Sequence, residues 1–110
     1  MANNLTFDNF SFLNEKRCNE SFHHLAGYDP TLLLAGACEE LGEVAKEIKH
    51  EYDNDLLPEL VAERIGEEVA DCITYLDLIC TKYGLKLSDV LARKFNAVSD
   101  RRNSTIKIPV

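Results

Sequence analysis

Two runs of acidic residues carry the chemistry open to this chain. Glu39, Glu40 and Glu43 fall in the run EELGE, and Glu68 and Asp71 fall in EVAD, an ExxD spacing. Both runs lie in segments of helical periodicity, where residues three and four apart share a face, so each sets like charges side by side. Each such pair costs about 0.2–0.5 kcal/mol on an isolated helix. A bound cation reverses the sign of that cost. The pattern points to a hard divalent metal held by carboxylates from two helices, and so to phosphate chemistry. All-oxygen ligation selects Mg2+ or Mn2+ over Zn2+ or Cu2+. Taken singly, each glutamate reads more readily as solvated helix surface. Arg64, four residues before Glu68, offers it an intrahelical ion pair, and Lys46 and Lys49 soften the second helix. The joint pattern on two helices carries the argument.

The elements that must position these groups follow from apolar spacing and turn chemistry. A first helix is expected over about Phe7 to His24. Gly27-Tyr28-Asp29-Pro30 then forms a turn, with Asp29 as N-cap and Pro30 at the first helical position. The second helix runs to about His50, with Leu33, Ala37, Leu41, Val44, Ala45 and Ile48 on one stripe. A third runs from Leu57 or Pro58 to about Tyr83, and Gly84 fits its C-terminal cap. Ser88 is expected to cap a fourth helix ending near Arg101. Beyond it, Ile106 and Ile108 alternate with polar residues, as in a short strand or an extended docking arm. Four helices with short connections imply a single all-α domain, a four-helix bundle with a short extended C-terminal tail.

On a helical wheel the second helix's stripe centres near Leu41 and Ile48. Glu40 falls about 80° from that centre, Glu43 and Glu47 lie further round, and Glu39 points nearly opposite. On the third helix Glu68 falls within the apolar sector near Val61, Tyr75 and Ile79, with Asp71 beside Leu60 and Leu78. Carboxylates almost never enter a core unpaired, so something must compensate them.

Composition narrows the classes further. The chain has 110 residues and a formal charge of −7, which disfavours unassisted binding to nucleic acid or anionic membranes. It leaves room for a triphosphate if metal ions neutralise the site. No run approaches the ~18–20 apolar residues of a membrane helix, and the N-terminus lacks the regions of a signal peptide. Cys18, Cys38, Cys72 and Cys80 form no CxxC pair and read as small buried thiols in a reducing cytoplasm. A helical core this small leaves apolar surface that self-association can cover, although composition alone does not require it. The homodimer or dimer of dimers expected here rests also on a family resemblance.

At its acidic residues the chain resembles the MazG-like, all-α nucleoside triphosphate pyrophosphohydrolases, which include the dimeric dUTP and dCTP pyrophosphatases. Their pattern is EExxE, a spacer, then ExxD; here it reads Glu39, Glu40, Glu43, 24 residues, Glu68 and Asp71. The resemblance spans roughly Arg17 to Arg102. It implies cleavage of a nucleoside triphosphate substrate to the monophosphate and pyrophosphate, in nucleotide-pool house-cleaning. By motif position Glu40, Glu43, Glu68 and Asp71 would ligate Mg2+, with Glu43 as general base for the attacking water and Glu39 or Glu40 as alternatives. Lys94, Asn96 and Arg101 of the fourth helix are candidates to grip phosphates. Asn19, His23 and Tyr75 are candidates for the nucleoside, with Asn19 suited to a base edge and Tyr75 to the sugar or the core. Some relatives carry a tryptophan in the Asn19–His23 region, and this chain has none.

Two other classes compete. Glu20 and His23 make an ExxH, as in ferritin-like carboxylate metal bundles, but such a site needs two ExxH helices and the chain has one. A non-catalytic helical interaction module would leave Glu68 in an apolar stripe without a reason.

Overall fold

The computed structural model describes residues 3–25 and 27–110. Among them are four α-helices, α1 (Phe7–Ser21), α2 (Pro30–Asp53), α3 (Pro58–Lys82) and α4 (Leu87–Arg101), with a 3-10 turn at His23–Leu25. No strand forms among the described residues. Local chemistry sets most of the ends. Asp29 accepts a hydrogen bond from the Thr31 N–H at 2.9 Å and Pro30 opens α2. At the end of α3, Gly84 takes φ +70°, and the Leu85 N–H returns to the Cys80 carbonyl at 2.8 Å. That is a Schellman closure, which needs a left-handed residue. Ser88 does not cap α4 as expected. Lys86 holds the cap position with no capping bond from its side chain, and the Ser88 hydroxyl donates instead to Asp8 of α1 at 2.6 Å.

α2 and α3 pack along most of their length as an antiparallel hairpin, α1 lies across α3, and α4 reaches α1. The inner core is Cys18, Leu25, Leu33 and Leu78, with Tyr28, Tyr75 and Ile79 against it. The seam of α2 follows Leu33, Ala37, Glu40, Val44 and Glu47, alternating four- and three-residue steps. This corrects the expected stripe: Leu41 is 63% exposed, and Leu34 and Ile48 stand out beside it. The reason is a small-residue face. Gly36 and Ala37 let α3 approach closely, so α2 turns its larger residues away.

The tail after α4 is an extended arm. The Asn96 side chain donates to the Ile108 carbonyl and accepts from the Ile108 N–H, both at 2.8 Å. Lys107 pairs with Asp100. Of the four cysteines, all are free; Cys18 is buried, whereas Cys38 is exposed rather than buried as expected.

Candidate metal centre

The seam positions bring the two acidic runs together. Glu40 of α2 and Glu68 and Asp71 of α3 each offer an oxygen within 4.8 Å of the others. Glu40 and Glu68 are half-buried and Asp71 is exposed, so the cluster opens to solvent at one side. Arg64 does not pair with Glu68. Its guanidinium reaches across the seam to 3.8 Å from Glu47. No cation forms an ion pair with the three clustered carboxylates among the described residues, and Lys46 and Lys49 form none either.

Electrostatics record the crowding. Glu40 is pushed up to about 7 by a hydrogen bond shared with Glu68, by partial burial, and by the charges of Asp71, Glu68 and Glu39. Burial, then the Glu40 charge, raises Tyr75 and Cys72 as well. Crowding that holds one carboxyl this high is what a cation shared by the three would relieve. Three oxygen donors of hard type, unneutralised and close enough to share one ion, fit Mg2+ or Mn2+.

Beside the cluster is a cleft of about 170 Å³, walled by Asn14, Arg17 and Cys18 of α1, Glu40, and Asp71, Thr74 and Tyr75 of α3. The Tyr75 ring packs against α2 at Gly36. The other expected residues fall as follows. Glu43 is half-buried one turn beyond Glu40 and outside the group of three, and Glu39 is exposed. Lys94 lines a separate apolar cavity with Phe7, Phe95 and Ile108, and Arg101 is exposed at the end of α4. Asn96 is taken up by the tail. The Asn19 carbonyl accepts from the Tyr28 hydroxyl at 3.1 Å, which ties it to the turn before α2. His23 is exposed in the 3-10 turn, and neither it nor Glu20 joins the carboxylates.

Asn14 and Arg17 are the residues that sequence reasoning missed. A faint signal existed, since both sit on α1 one turn apart, but the partners of Asn14 lie some sixty residues away on α3. Arg17 also stacks over Phe22, 5.8 Å from the ring centre.

No curated protein and no solved structure matches the chain. A family model does: the MazG nucleotide pyrophosphohydrolase domain matches residues 28–105, which takes in α2, α3, α4 and both acidic runs. With the carboxylates of both runs meeting across one helical seam and more than half of the chain matched, the protein belongs to the MazG nucleotide pyrophosphohydrolase domain family.

Proposed function

We propose that this chain hydrolyses a nucleoside triphosphate to the monophosphate and pyrophosphate with Mg2+ as its metal. Family membership supplies the coarser statement, a metal-dependent pyrophosphohydrolase acting on nucleotides. The observation that carries the finer one is the group Glu40, Glu68 and Asp71, three oxygens within 4.8 Å with no cation paired to them among the described residues.

Glu40, Glu68 and Asp71 would hold the ion, with Glu43 as a fourth ligand or as the general base. Bound Mg2+ supplies positive charge to the phosphate oxygens and to the attacking water. Glu43, or Glu39 on the open side, accepts the water proton as the new P–O bond forms and the anhydride oxygen leaves with pyrophosphate. Tyr75 and Arg17 wall the cleft beside the carboxylates, and Arg17 is the cation there able to meet phosphate.

We further propose a homodimer or dimer of dimers. The radius of gyration is 16.5 Å, against about 13 Å for a compact domain of about 100 residues. Leu34, Leu41 and Ile48 of α2, Val69, Ile73 and Leu76 of α3, and Leu91 and Phe95 of α4 are exposed. The cleft is also below the roughly 300 Å³ of a typical ligand site. A second copy would cover the apolar faces and enlarge the cleft. Phosphate contact from Lys94 and Arg101 then requires a neighbouring copy whose α4 approaches the carboxylates. We propose no nucleic-acid or membrane partner: the charge is −7, and no helix among the described residues is long and apolar enough to cross a membrane. The location we propose is cytoplasmic.

A panel of triphosphates incubated with Mg2+, with phosphate and pyrophosphate measured separately, tests the reading. Pyrophosphate release that ends on chelation supports it. No hydrolysis of any triphosphate overturns it.

A further inference from the structure

Between α1 and α3 lies a sealed polar group that the metal chemistry does not use. Asp77 is 1% exposed and Asn14 4%. Asp77 accepts from the Ser11 hydroxyl at 2.5 Å and from the Asn14 amide nitrogen at 2.9 Å. The same nitrogen donates to the Thr74 carbonyl at 3.0 Å. An aspartate buried this deeply without a cation is costly unless its oxygens are satisfied, and here two donors reach it.

The consequence falls on Asn14. A side-chain amide carries two N–H donors on one end and an acceptor on the other, and neighbours decide which way it faces. Both neighbours here accept only: a backbone carbonyl and a carboxylate. Both N–H groups are therefore committed, and the amide cannot turn over without setting oxygen against oxygen. The Asn14 oxygen has no partner among the described residues, and it belongs to a side chain that walls the cleft with Glu40, Asp71 and Tyr75. The Thr74 hydroxyl, in the same wall, donates to Ala70 of its own helix at 2.9 Å and offers the cleft no competing donor.

We infer that Asp77 is a positioning residue that holds the Asn14 amide with its oxygen toward the cleft, so that the site selects a nucleobase edge presenting an N–H. This rests on the nucleotide reading above. An amino or ring imide group on the base edge supplies such a donor. A ring imide nitrogen methylated once, or an amino nitrogen carrying two methyl groups, meets the oxygen with no hydrogen to share and leaves that acceptor unmet.

The experiment compares Michaelis constants of the wild-type protein for nucleoside triphosphates with a free N–H edge and for the same nucleotides with every hydrogen on that nitrogen replaced by methyl. The free form is expected to have a KM lower by about tenfold or more, the size of one hydrogen bond left unmade. Asp77→Asn keeps an acceptor for the Asn14 nitrogen and should retain that ratio. Asp77→Leu removes it and should bring the ratio close to one, while kcat changes less than KM. A tie that only joined α1 to α3 would lower the melting temperature of Asp77→Leu and leave the ratio alone. Equal KM for free and methylated edges in the wild type overturns the inference whether or not the variants fold, as does an unchanged ratio in folded Asp77→Leu. Absence of hydrolysis of every nucleotide by the wild type overturns the nucleotide reading itself.

Discussion

The ring of Tyr75 occupies the space in which a side chain at residue 36 would begin. A Cβ placed on Gly36 would lie 2.5 Å from Tyr75 Cζ and 2.8 Å from Cδ1. The contact sits one helical turn before Glu40, so the spacing of α2 and α3 at the carboxylates depends on it. Gly36→Ala should destabilise the fold by about 1–3 kcal/mol, as overpacked cores do. It should also weaken Mg2+ binding by opening the seam. Thermal melts with and without Mg2+ check both. An unchanged melting temperature would show that Tyr75 moves aside freely.

Glu68→Gln and Asp71→Asn should each abolish Mg2+-dependent hydrolysis with the fold intact. Each removes a ligand and some like-charge repulsion, so the metal-free melting temperature should stay level or rise. Wild-type turnover in either variant would remove that residue from the metal site.

Glu40 gives the metal-free chain a distinctive pH dependence. Its carboxyl titrates at about 7 in the folded chain against an ordinary 4.5. The folded state therefore binds the proton more tightly than the unfolded state. The Glu40 contribution to stability is fully present below about pH 4.5, and is lost as pH rises through about 7. Mg2+ binding near neutral pH should release that proton, seen as a buffer-dependent heat in calorimetry. Glu40→Gln should flatten the stability curve over the same interval. A proton count of zero on Mg2+ binding at pH 6.5–7 would mean that the ion does not displace the Glu40 proton.

Glu47 is 7% exposed, and its Oε2 is buried without a hydrogen-bond partner, 3.8 Å from Arg64. A buried charge with so loose a partner adds little to stability. Glu47→Leu should be neutral or raise the melting temperature, whereas Arg64→Leu should lower it by leaving the carboxylate uncompensated. Denaturant titration of both variants decides between this and a role for Glu47 in the metal site, where Glu47→Leu would cost Mg2+ affinity.

Leu34, Leu41 and Ile48 recur every seventh residue on the outer face of α2. Leu41→Asp should place a charge in the centre of the self-association surface and shift light scattering toward the monomer mass. An unaltered assembly would move the interface to α4.

Much of the fold was legible because its signals are local. Pro30, Asp29, Pro58 and Gly84 announce the ends of α2 and α3 through backbone chemistry confined to a few residues. Glu68 stood out because one helix wheel holds all its relevant neighbours. The stripe of α2 was misread for a different reason. That helix has two apolar faces, and the one with larger residues, Leu34, Leu41 and Ile48, turns outward because Gly36 and Ala37 admit α3. Asn14 could not be found from its neighbours in sequence, since its meaning comes from Thr74 and Asp77 on another helix. Ser88 failed as a cap on the same ground: Asp8, eighty residues earlier, competes for its hydroxyl.

The grip of Asn96 on the tail engages the backbone of Ile108 and no side chain. It would hold almost any residue there, yet the next one is Pro109, which has no N–H to give. A slip of the tail by one residue in that direction would break half of the clamp. A slip the other way would bring Lys107 into the clamp and take it from Asp100. A single side-chain amide thus acts as a ratchet tooth, and the proline beside its target fixes the notch in which the chain comes to rest.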